Sequence, residues 1–119
     1  MKKEFLAKDD VSRDKSNRAL YEAAKAGDLM GVAEALARGG SVDWKNEDDD
    51  GRTPLHACAI SNRPEEEGAE WRGIECAELL LQNGARMDVL DHSDHGVLDC
   101  AVIRNGDRAM VEYLAQKLE

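Results

Sequence analysis

The 119-residue sequence predicts an all-α fold built from three helix–turn–helix repeats. The letters GRTPLHACA at residues 51–59 have the chemistry of a helix start. Thr53 can cap the helix through its hydroxyl, and Pro54 suits the first helical position because an N–H there would have no partner. Leu55 and Ala59 then lie four residues apart on one helix face, where they can pack against a neighbouring helix.

Internal repetition is the second observation that predicts this fold. The segment of residues 23–43 aligns with the segment of residues 72–88. The matched pairs are Leu36 with Leu81, Gly39 with Gly84, Gly40 with Ala85, and Asp43 with Asp88. Each matched glycine follows a predicted helix, at the point where a left-handed residue ends the helix and glycine is tolerated best.

A first and a third unit lie on either side of the central unit, which contains residues 51–59. In residues 91–101 the letters Gly-Val-Leu-Asp stand where the central unit has Thr-Pro-Leu-His. The second helix of this unit is predicted over residues 108–117, with an apolar stripe of Met110, Val111, Leu114 and Leu118. The first unit starts its helix from Ser16 or Asn17 as the cap. The sequence therefore predicts one well-formed repeat between two degenerate terminal repeats.

The Thr-Pro-Leu-His letters and the leucine–glycine helix exit resemble ankyrin repeats. The resemblance implies a solenoid with short β-hairpin fingers and a period of about 33 residues. Gly39 and Gly84 are 45 residues apart. We assign the excess to a two-residue extension near residues 46–50 and an insertion of about ten residues near 63–72. The predicted division is a polar linker or N-terminal extension at 1–15, which could also be a docked helix, and a repeat domain at 16–119, with repeats at about 16–48, 49–90 and 91–119.

A narrower resemblance covers nearly the whole chain. Residues 33–46, AEALARGGSVDWKN, are similar to the ADALAHGADVNW-x-N stretch of Arf GTPase-activating proteins with coiled-coil, PH and ankyrin modules. Trp44 is the most specific letter of this match. The letters LLLQNGA at residues 79–85 are similar to the next repeat of that family, residues 98–101 to its third, and KKEFL at residues 2–6 resembles the tail that leaves the zinc-bearing GAP domain.

This resemblance implies an accessory ankyrin module of an enzyme, with GTPase activation supplied by a catalytic domain outside these residues. The zinc ligands and arginine finger of that domain are not in this segment. We therefore expect a non-catalytic scaffold that binds proteins. The alternative is a stand-alone ankyrin adaptor or inhibitor protein with no attached enzyme.

Charge and cysteine content restrict the partners. Residues 1–20 carry six basic and four acidic side chains, whereas ten basic face 21 acidic side chains from Tyr21 onward. An acidic body disfavours nucleic acid and anionic membranes and suits a basic protein surface. Three cysteines without a C-x-x-C spacing suggest a reducing compartment and no zinc site. No apolar run approaches the length of a membrane span. We expect a cytoplasmic monomer without a cofactor, membrane-peripheral only through a parent protein.

The partner-binding face is predicted on the acidic finger tips and the concave side of the solenoid. The letters EDDD at residues 47–50 and EEE at residues 65–67 have two interpretations, solvated loops or a partner-binding rim. Trp44 is either an interface anchor or a structural plug. Trp71 is either an anchor that folds the insertion down or an exposed contact. The predicted partner-binding residues are Trp44, Lys45, Glu47, Asp48, Asp49, Arg52, Trp71, His92 and His95.

The sequence gives little support for a catalytic site or a metal site. His92 and His95, interleaved with Asp91 and Asp94, carry metal-ligand letters. Ligands three residues apart normally need a helix to converge, so a hydrated hairpin tip is the favoured interpretation. His56 is expected to tether the neighbouring hairpin backbone, without a catalytic role. The thiols of Cys58, Cys76 and Cys100 are expected to be buried and inert.

Overall fold

The computed structural model describes residues 2–64, 70–105 and 107–118, with side chains from Arg13 onward except that of Asn105. These residues fold into paired helices connected by turns. The helices are α1 (Lys2–Ala26), α2 (Leu29–Ala37), α3 (Pro54–Ala59), α4 (Gly73–Gln82), α5 (Val97–Cys100) and α6 (Arg108–Lys117). A 3₁₀ turn spans Glu47–Asp49, and a π-helical turn at Ala101–Asn105 extends α5. The helical character predicted from the sequence is confirmed.

The start of α3 and the ends of α2 and α4 follow the predicted local chemistry, but the predicted helix start at Ser16 or Asn17 is wrong, because α1 runs through both residues. Thr53 caps α3 by accepting a hydrogen bond from the backbone N–H of His56, whose ring accepts one from the Thr53 N–H in return. Asp28 caps α2 by accepting from Gly31 at 3.0 Å. Gly39 and Gly84, which follow α2 and α4, have φ angles of 97° and 93°. The predicted Thr53 cap and the predicted glycine stops are therefore confirmed.

The predicted β-hairpin fingers are not shown, because the described residues form no strand. In place of the first hairpin stands a single antiparallel bridge between Asn46 and Arg52. The Asn46 side chain accepts a hydrogen bond from Asp48 N at 3.0 Å, which starts the 3₁₀ turn, and Asp50 closes the turn in the left-handed region at φ 59°. The residues of this tight turn are therefore not available to form the further backbone hydrogen bonds of a β-hairpin. We keep the term finger for these two turns, the first at residues 43–52 and the second at residues 86–95.

The amino-terminal segment is helical rather than irregular. The backbone of residues 2–15 continues α1 without a break, which favours the helix over the linker that the sequence also allowed. Met1 lies outside the described residues. The domain and repeat boundaries drawn from the sequence stay a prediction.

The core is aliphatic and rich in small side chains, as expected from five aromatic residues in the whole chain. Side chains from all three helix pairs fill it, because no pair can bury its own apolar face. Its fully buried members include Leu20, Ala24, Val32, Leu55, Ala59, Leu80, Val97, Met110 and Leu114. Cys58, Cys76 and Cys100 are also fully buried and form no disulfide, so their predicted burial is confirmed.

Candidate protein-interaction surface

The two fingers lie side by side and are joined through Asp50. The backbone N–H of His92 donates to the Asp50 carbonyl at 2.8 Å. The Ser93 hydroxyl donates to the Asp50 carboxylate at 2.6 Å. Within the second finger, Asp91 N donates to the His95 carbonyl at 2.9 Å and closes the turn. The finger tips therefore form one continuous edge.

A buried ion pair lies beneath this edge. The residue Arg52 is only 5% exposed, and its Nε lies 3.3 Å from a carboxylate oxygen of Asp91, whose side chain is fully buried. Another guanidinium nitrogen contacts Asp49 at 3.0 Å. The Asp91 carboxylate also accepts from the backbone N–H groups of Ser93 and His95, both at 2.9 Å. Arg52 thus links the first finger to the second.

Backbone donors and Arg52 keep the Asp91 carboxylate ionised. Burial alone would raise its pKa, but the N–H groups of His95 and Ser93 and the guanidinium of Arg52 hold the pKa below its usual value. The Cys100 thiol donates to the same carboxylate at 3.6 Å. Burial first, and then the nearby Asp91 charge, raise the pKa of Cys100 to about 11. Cys100 is therefore a protonated donor at neutral pH rather than a reactive thiolate.

His56 connects α3 to the second finger. Its Nδ1 is paired with Thr53, and its Nε2 lies 3.2 Å from the carbonyl oxygen of His95. The predicted tether from His56 to the neighbouring turn is confirmed. Burial lowers the pKa of His56, and the hydrogen bond to the His95 carbonyl opposes that shift.

Stability is expected to fall in two stages on acidification. The folded pKa of His56 is lowered, so the unfolded chain binds the proton first and the free energy of unfolding decreases below about pH 6.5. The folded pKa of Asp91 is also lowered; its contribution is present above about pH 3.9 and is lost as pH falls through the folded pKa. Urea unfolding across this pH range measures both stages. His92→Gln, which removes an exposed imidazole, should keep the first stage, and a constant free energy between about pH 7 and pH 5 would contradict the assignment to His56.

Trp44 fastens the first finger to α1. The residue is half-buried, and its ring meets Tyr21 edge-on with 6.1 Å between ring centroids. The Arg18 guanidinium lies 5.6 Å from the Trp44 ring centroid. The Tyr21 hydroxyl donates a hydrogen bond to Asp49, which turns that carboxylate toward α1. Arg18 and Tyr21 belong to this site but were missed in the sequence, where nothing marks two helix residues as finger contacts.

Two carboxylates of the first finger face outward. The Asp48 side chain is 78% exposed and contacts Arg18 at 3.3 Å, while the exposed Glu47 lies 3.2 Å from His92 Nε2. Lys45 is also exposed. These residues and the exposed part of Trp44 form a surface open to a partner.

Three other predicted site residues are buried or half-buried. Arg52 is buried in the ion pair, so its guanidinium holds the fingers together and is not open to a partner. Asp49 is half-buried between Tyr21, Lys25 and Arg52. His95 is half-buried, and its Nδ1 has no hydrogen-bond partner in the described part of the chain. These three side chains are thus less accessible than Glu47 and Asp48, and the partner-binding role of every predicted residue stays a prediction.

Trp71 anchors the foot of the insertion. Its ring lies so close to Gly27 and Gly73 that a Cβ atom on either glycine would come within 2.4 Å of it. Its Nε1 donates to the Ser61 hydroxyl at 2.6 Å, and the Arg63 guanidinium lies 4.4 Å from the Trp71 ring centroid. These contacts lie at the ends of α1 and α3 and at the start of α4, and they include no finger residue. The run of glutamates at residues 65–67 lies outside the described residues.

The described residues contain no group of three or more His, Cys, Asp or Glu side chains placed to hold a metal ion, and His92 and His95 belong to no such group. No described helix combines the length and apolarity needed to cross a membrane.

Comparison with known proteins decides the family. The family model described as ankyrin repeats (3 copies) matches residues 3–91. The chain belongs to the ankyrin-repeat family. This ankyrin-repeat chain is 33% identical over 84 residues to Arf-GAP with coiled-coil, ANK repeat and PH domain-containing protein 2 of Rattus norvegicus, covering 71% of the chain and 10% of the relative. It is 35% identical over 71 residues to protein 3 of the same series from Homo sapiens, covering 60% of the chain and 7% of the relative.

A relative of a different kind matches more of the chain. Inversin of Mus musculus is 29% identical over 112 residues, which covers 94% of the chain and 10% of the relative. The chain spans about a tenth of the length of these curated relatives. The predicted resemblance to ankyrin repeats and to the Arf-GAP series is confirmed. Relatives of two different kinds, the Arf-GAP series and Inversin, therefore match the chain.

Proposed function

We propose that this ankyrin domain is a non-catalytic protein-interaction module that belongs to an Arf GTPase-activating protein. In that setting its partner is a basic surface, either on the GAP domain of the same protein or on a separate protein. The identity to the Arf-GAP series supports the parent protein. The observation that carries the interaction surface is the finger edge, where Glu47 and Asp48 face outward while the Arg52–Asp91 pair joins the two fingers. A surface whose parts are already joined loses less conformational freedom on binding, which favours affinity.

The acidic edge suits partners that are attracted by charge. Glu47 and Asp48 are exposed, so their attraction to a basic partner acts over a distance comparable to the Debye length and weakens with salt. The half-buried Trp44 lies beside them and supplies the apolar contact. We place the domain in the cytoplasm, with membrane proximity only through the parent protein. We also propose that the three repeats span residues of about 16–48, 49–90 and 91–119.

The competing function is a stand-alone adaptor or inhibitor with no attached enzyme, and it is kept because a relative outside the Arf-GAP series, Inversin, also matches the chain. The coding sequence upstream of residue 1 separates the two. A C-x-x-C pair followed after about sixteen residues by a second C-x-x-C pair would support the GAP assignment, because that spacing holds a zinc ion. An upstream sequence without this pattern would leave the interaction module standing and remove the Arf-GAP assignment.

Charge reversal at the finger tip is expected to weaken partner capture. Asp48→Lys should reduce the partner recovered by the immobilised domain about tenfold, because an attraction becomes a repulsion. Glu112→Lys, on the exposed face of α6, is the matched control and should capture as well as the parent chain. Recovery is measured by quantitative mass spectrometry at low and high salt. Equal losses in both variants would place the binding surface elsewhere.

Trp44→Ala tests the apolar part of the surface. We expect weaker capture together with a loss of stability, to which the edge-on contact with Tyr21 contributes about 0.5–1.5 kcal/mol beyond the apolar burial of the ring. Circular dichroism should show an intact helical domain. If the variant unfolds, or captures the partner normally, Trp44 is a structural plug and is not part of the binding surface.

A further inference from the structure

The first finger is attached to α1 by contacts that do not involve Arg18. The Tyr21 hydroxyl donates a hydrogen bond to the Asp49 carboxylate in the middle of the finger. Just before the finger, the backbone N–H of Ser41 donates to the side-chain oxygen of Asn17 at 2.8 Å. These two contacts join both parts of the segment to the helix. The finger therefore keeps its place if the Arg18 side chain moves away from it.

The second repeat holds its own finger in the equivalent way. The letters Thr-Pro-Leu-His of the central unit align with residues 18–21, which matches His56 with Tyr21 and Thr53 with Arg18. His56 contacts the second finger, just as Tyr21 contacts the first. Thr53 uses its hydroxyl to cap α3. The contact of Arg18 with a finger is therefore an addition of the first repeat and not part of the common attachment.

Arg18 places a guanidinium against an aromatic ring and an exposed carboxylate. Its guanidinium carbon lies 5.6 Å from the Trp44 ring centroid, and its Nη1 lies 3.3 Å from a carboxylate oxygen of Asp48. The side chains of Arg18 and Asp48 are 50% and 78% exposed. Exposed ion pairs of this kind contribute little to stability, because water competes for both charges. The Arg18 guanidinium is therefore held weakly at this position and can be exchanged for another one.

Trp44 and Asp48 together have the chemistry that recognises a guanidinium. A guanidinium is planar, so it can stack on an aromatic ring while its N–H groups donate to a carboxylate. The ammonium group of lysine is a compact and strongly hydrated charge without this plane. The alignment of Gly39 with Gly84 places Val89 and Ser93 of the second finger at the positions of Trp44 and Asp48. Of the two fingers, the first alone therefore carries this pair of groups.

We propose that the finger edge binds an arginine side chain of its protein partner, whose guanidinium takes the place of Arg18 beside Trp44 and Asp48. This inference rests on the proposed function and names the group that the basic partner presents. Arg18 keeps a second ion pair, 3.1 Å long, with Asp14 one turn earlier in α1. The exchange therefore leaves no charge without a partner. In the free domain Arg18 is an internal competitor that covers the site.

Titration of the whole chain with a pair of capped peptides tests this exchange. One peptide carries arginines separated by glycines, and the other carries lysines at the same positions. The reporter is the indole N–H signal of Trp44 in an NMR spectrum recorded at low salt. The chain has two tryptophans, so the spectrum of Trp71→Phe identifies the Trp44 signal. We expect a saturable shift with the arginine peptide and a dissociation constant at least about threefold higher for the lysine peptide.

Removal of the internal competitor is the decisive variant. Arg18→Ala should lower the dissociation constant of the arginine peptide about two- to fivefold, because the site is then always open. An Arg18 that only supports the finger would instead leave the dissociation constant unchanged or raise it. Arg86→Ala is the matched control, since it removes an exposed guanidinium that pairs with Asp88 in the second finger. Its effect should be much smaller, and equal gains in both variants would show a general charge effect and overturn the exchange.

The failure of this inference differs from the failure of the proposed function. Equal binding of the two peptides, or an Arg18→Ala variant that binds no better than the parent chain, overturns the exchange. The acidic interaction surface still stands in that case if Asp48→Lys weakens partner capture. The proposed surface fails in the capture assay, where Asp48→Lys and Glu112→Lys would then behave alike. A Trp44 signal that does not move at any concentration of the arginine peptide also overturns the exchange.

Discussion

Replacing Arg52 with leucine is expected to lower the free energy of unfolding by about 3–5 kcal/mol, because the buried Asp91 carboxylate would lose its charged partner. Asp49 and Asp50 would lose the same guanidinium, so like charges in the first finger would repel one another. Since the free energy of unfolding of a domain is typically only about 5–15 kcal/mol, a loss of this size removes a large part of its stability. Urea titration followed by circular dichroism measures the change.

Two comparisons identify the cause. Arg86→Leu breaks an exposed ion pair with Asp88 and should cost less than about 1 kcal/mol. The double variant Arg52→Leu with Asp91→Asn should recover part of the loss, because the amide still meets the backbone but carries no buried charge. A loss below about 1 kcal/mol in the single variant would mean that Arg52 is not the link between the fingers and is free to bind a partner.

Trp71→Ala is expected to cost about 2–3 kcal/mol, somewhat less than the loss for a completely buried aromatic residue, because Trp71 is half-buried. The ring fills the space between Gly27 and Gly73, so alanine would leave a cavity at the junction of α1 and α4. The hydrogen bond to Ser61 and the stacking of Arg63 would be lost as well. Thermal unfolding measures the effect.

Trp71→Phe is the informative control. Phenylalanine keeps a ring between the glycines but removes the N–H donor, so we expect a loss of about 1 kcal/mol. Partner capture should be unchanged in this variant. If Trp71→Ala leaves stability intact and weakens capture, the residue is an exposed contact after all and the binding surface extends to the insertion.

Local chemistry was predicted from the sequence more successfully than long-range packing. The Thr53 cap and the glycine stops at Gly39 and Gly84 depend on a few neighbouring residues, so their letters carry enough information. The His56 tether was predictable because the resemblance to ankyrin repeats supplied its partner.

Arg52 and the fingers show the limit of such predictions. A charged residue in an acidic loop is normally exposed, and only its contact with Asp91, 39 residues later, explains its burial. Arg18 and Tyr21, which contact the first finger from α1, are also far from it in the sequence, so they could not be predicted as finger contacts. The β-hairpins were expected from the resemblance, but the Asn46 cap and the left-handed Asp50 favour a tight turn.

Hydrogen–deuterium exchange of the domain, alone and with the most strongly captured partner, tests the proposed surface most directly. The account predicts slower exchange at residues 43–52 and 86–95 on binding, since the partner covers the finger edge formed by Glu47, Asp48 and Trp44. The Asp48→Lys variant, measured in parallel, should show no such change. Protection confined to α2, α4 and α6, with exchange at both fingers unaltered, would contradict it.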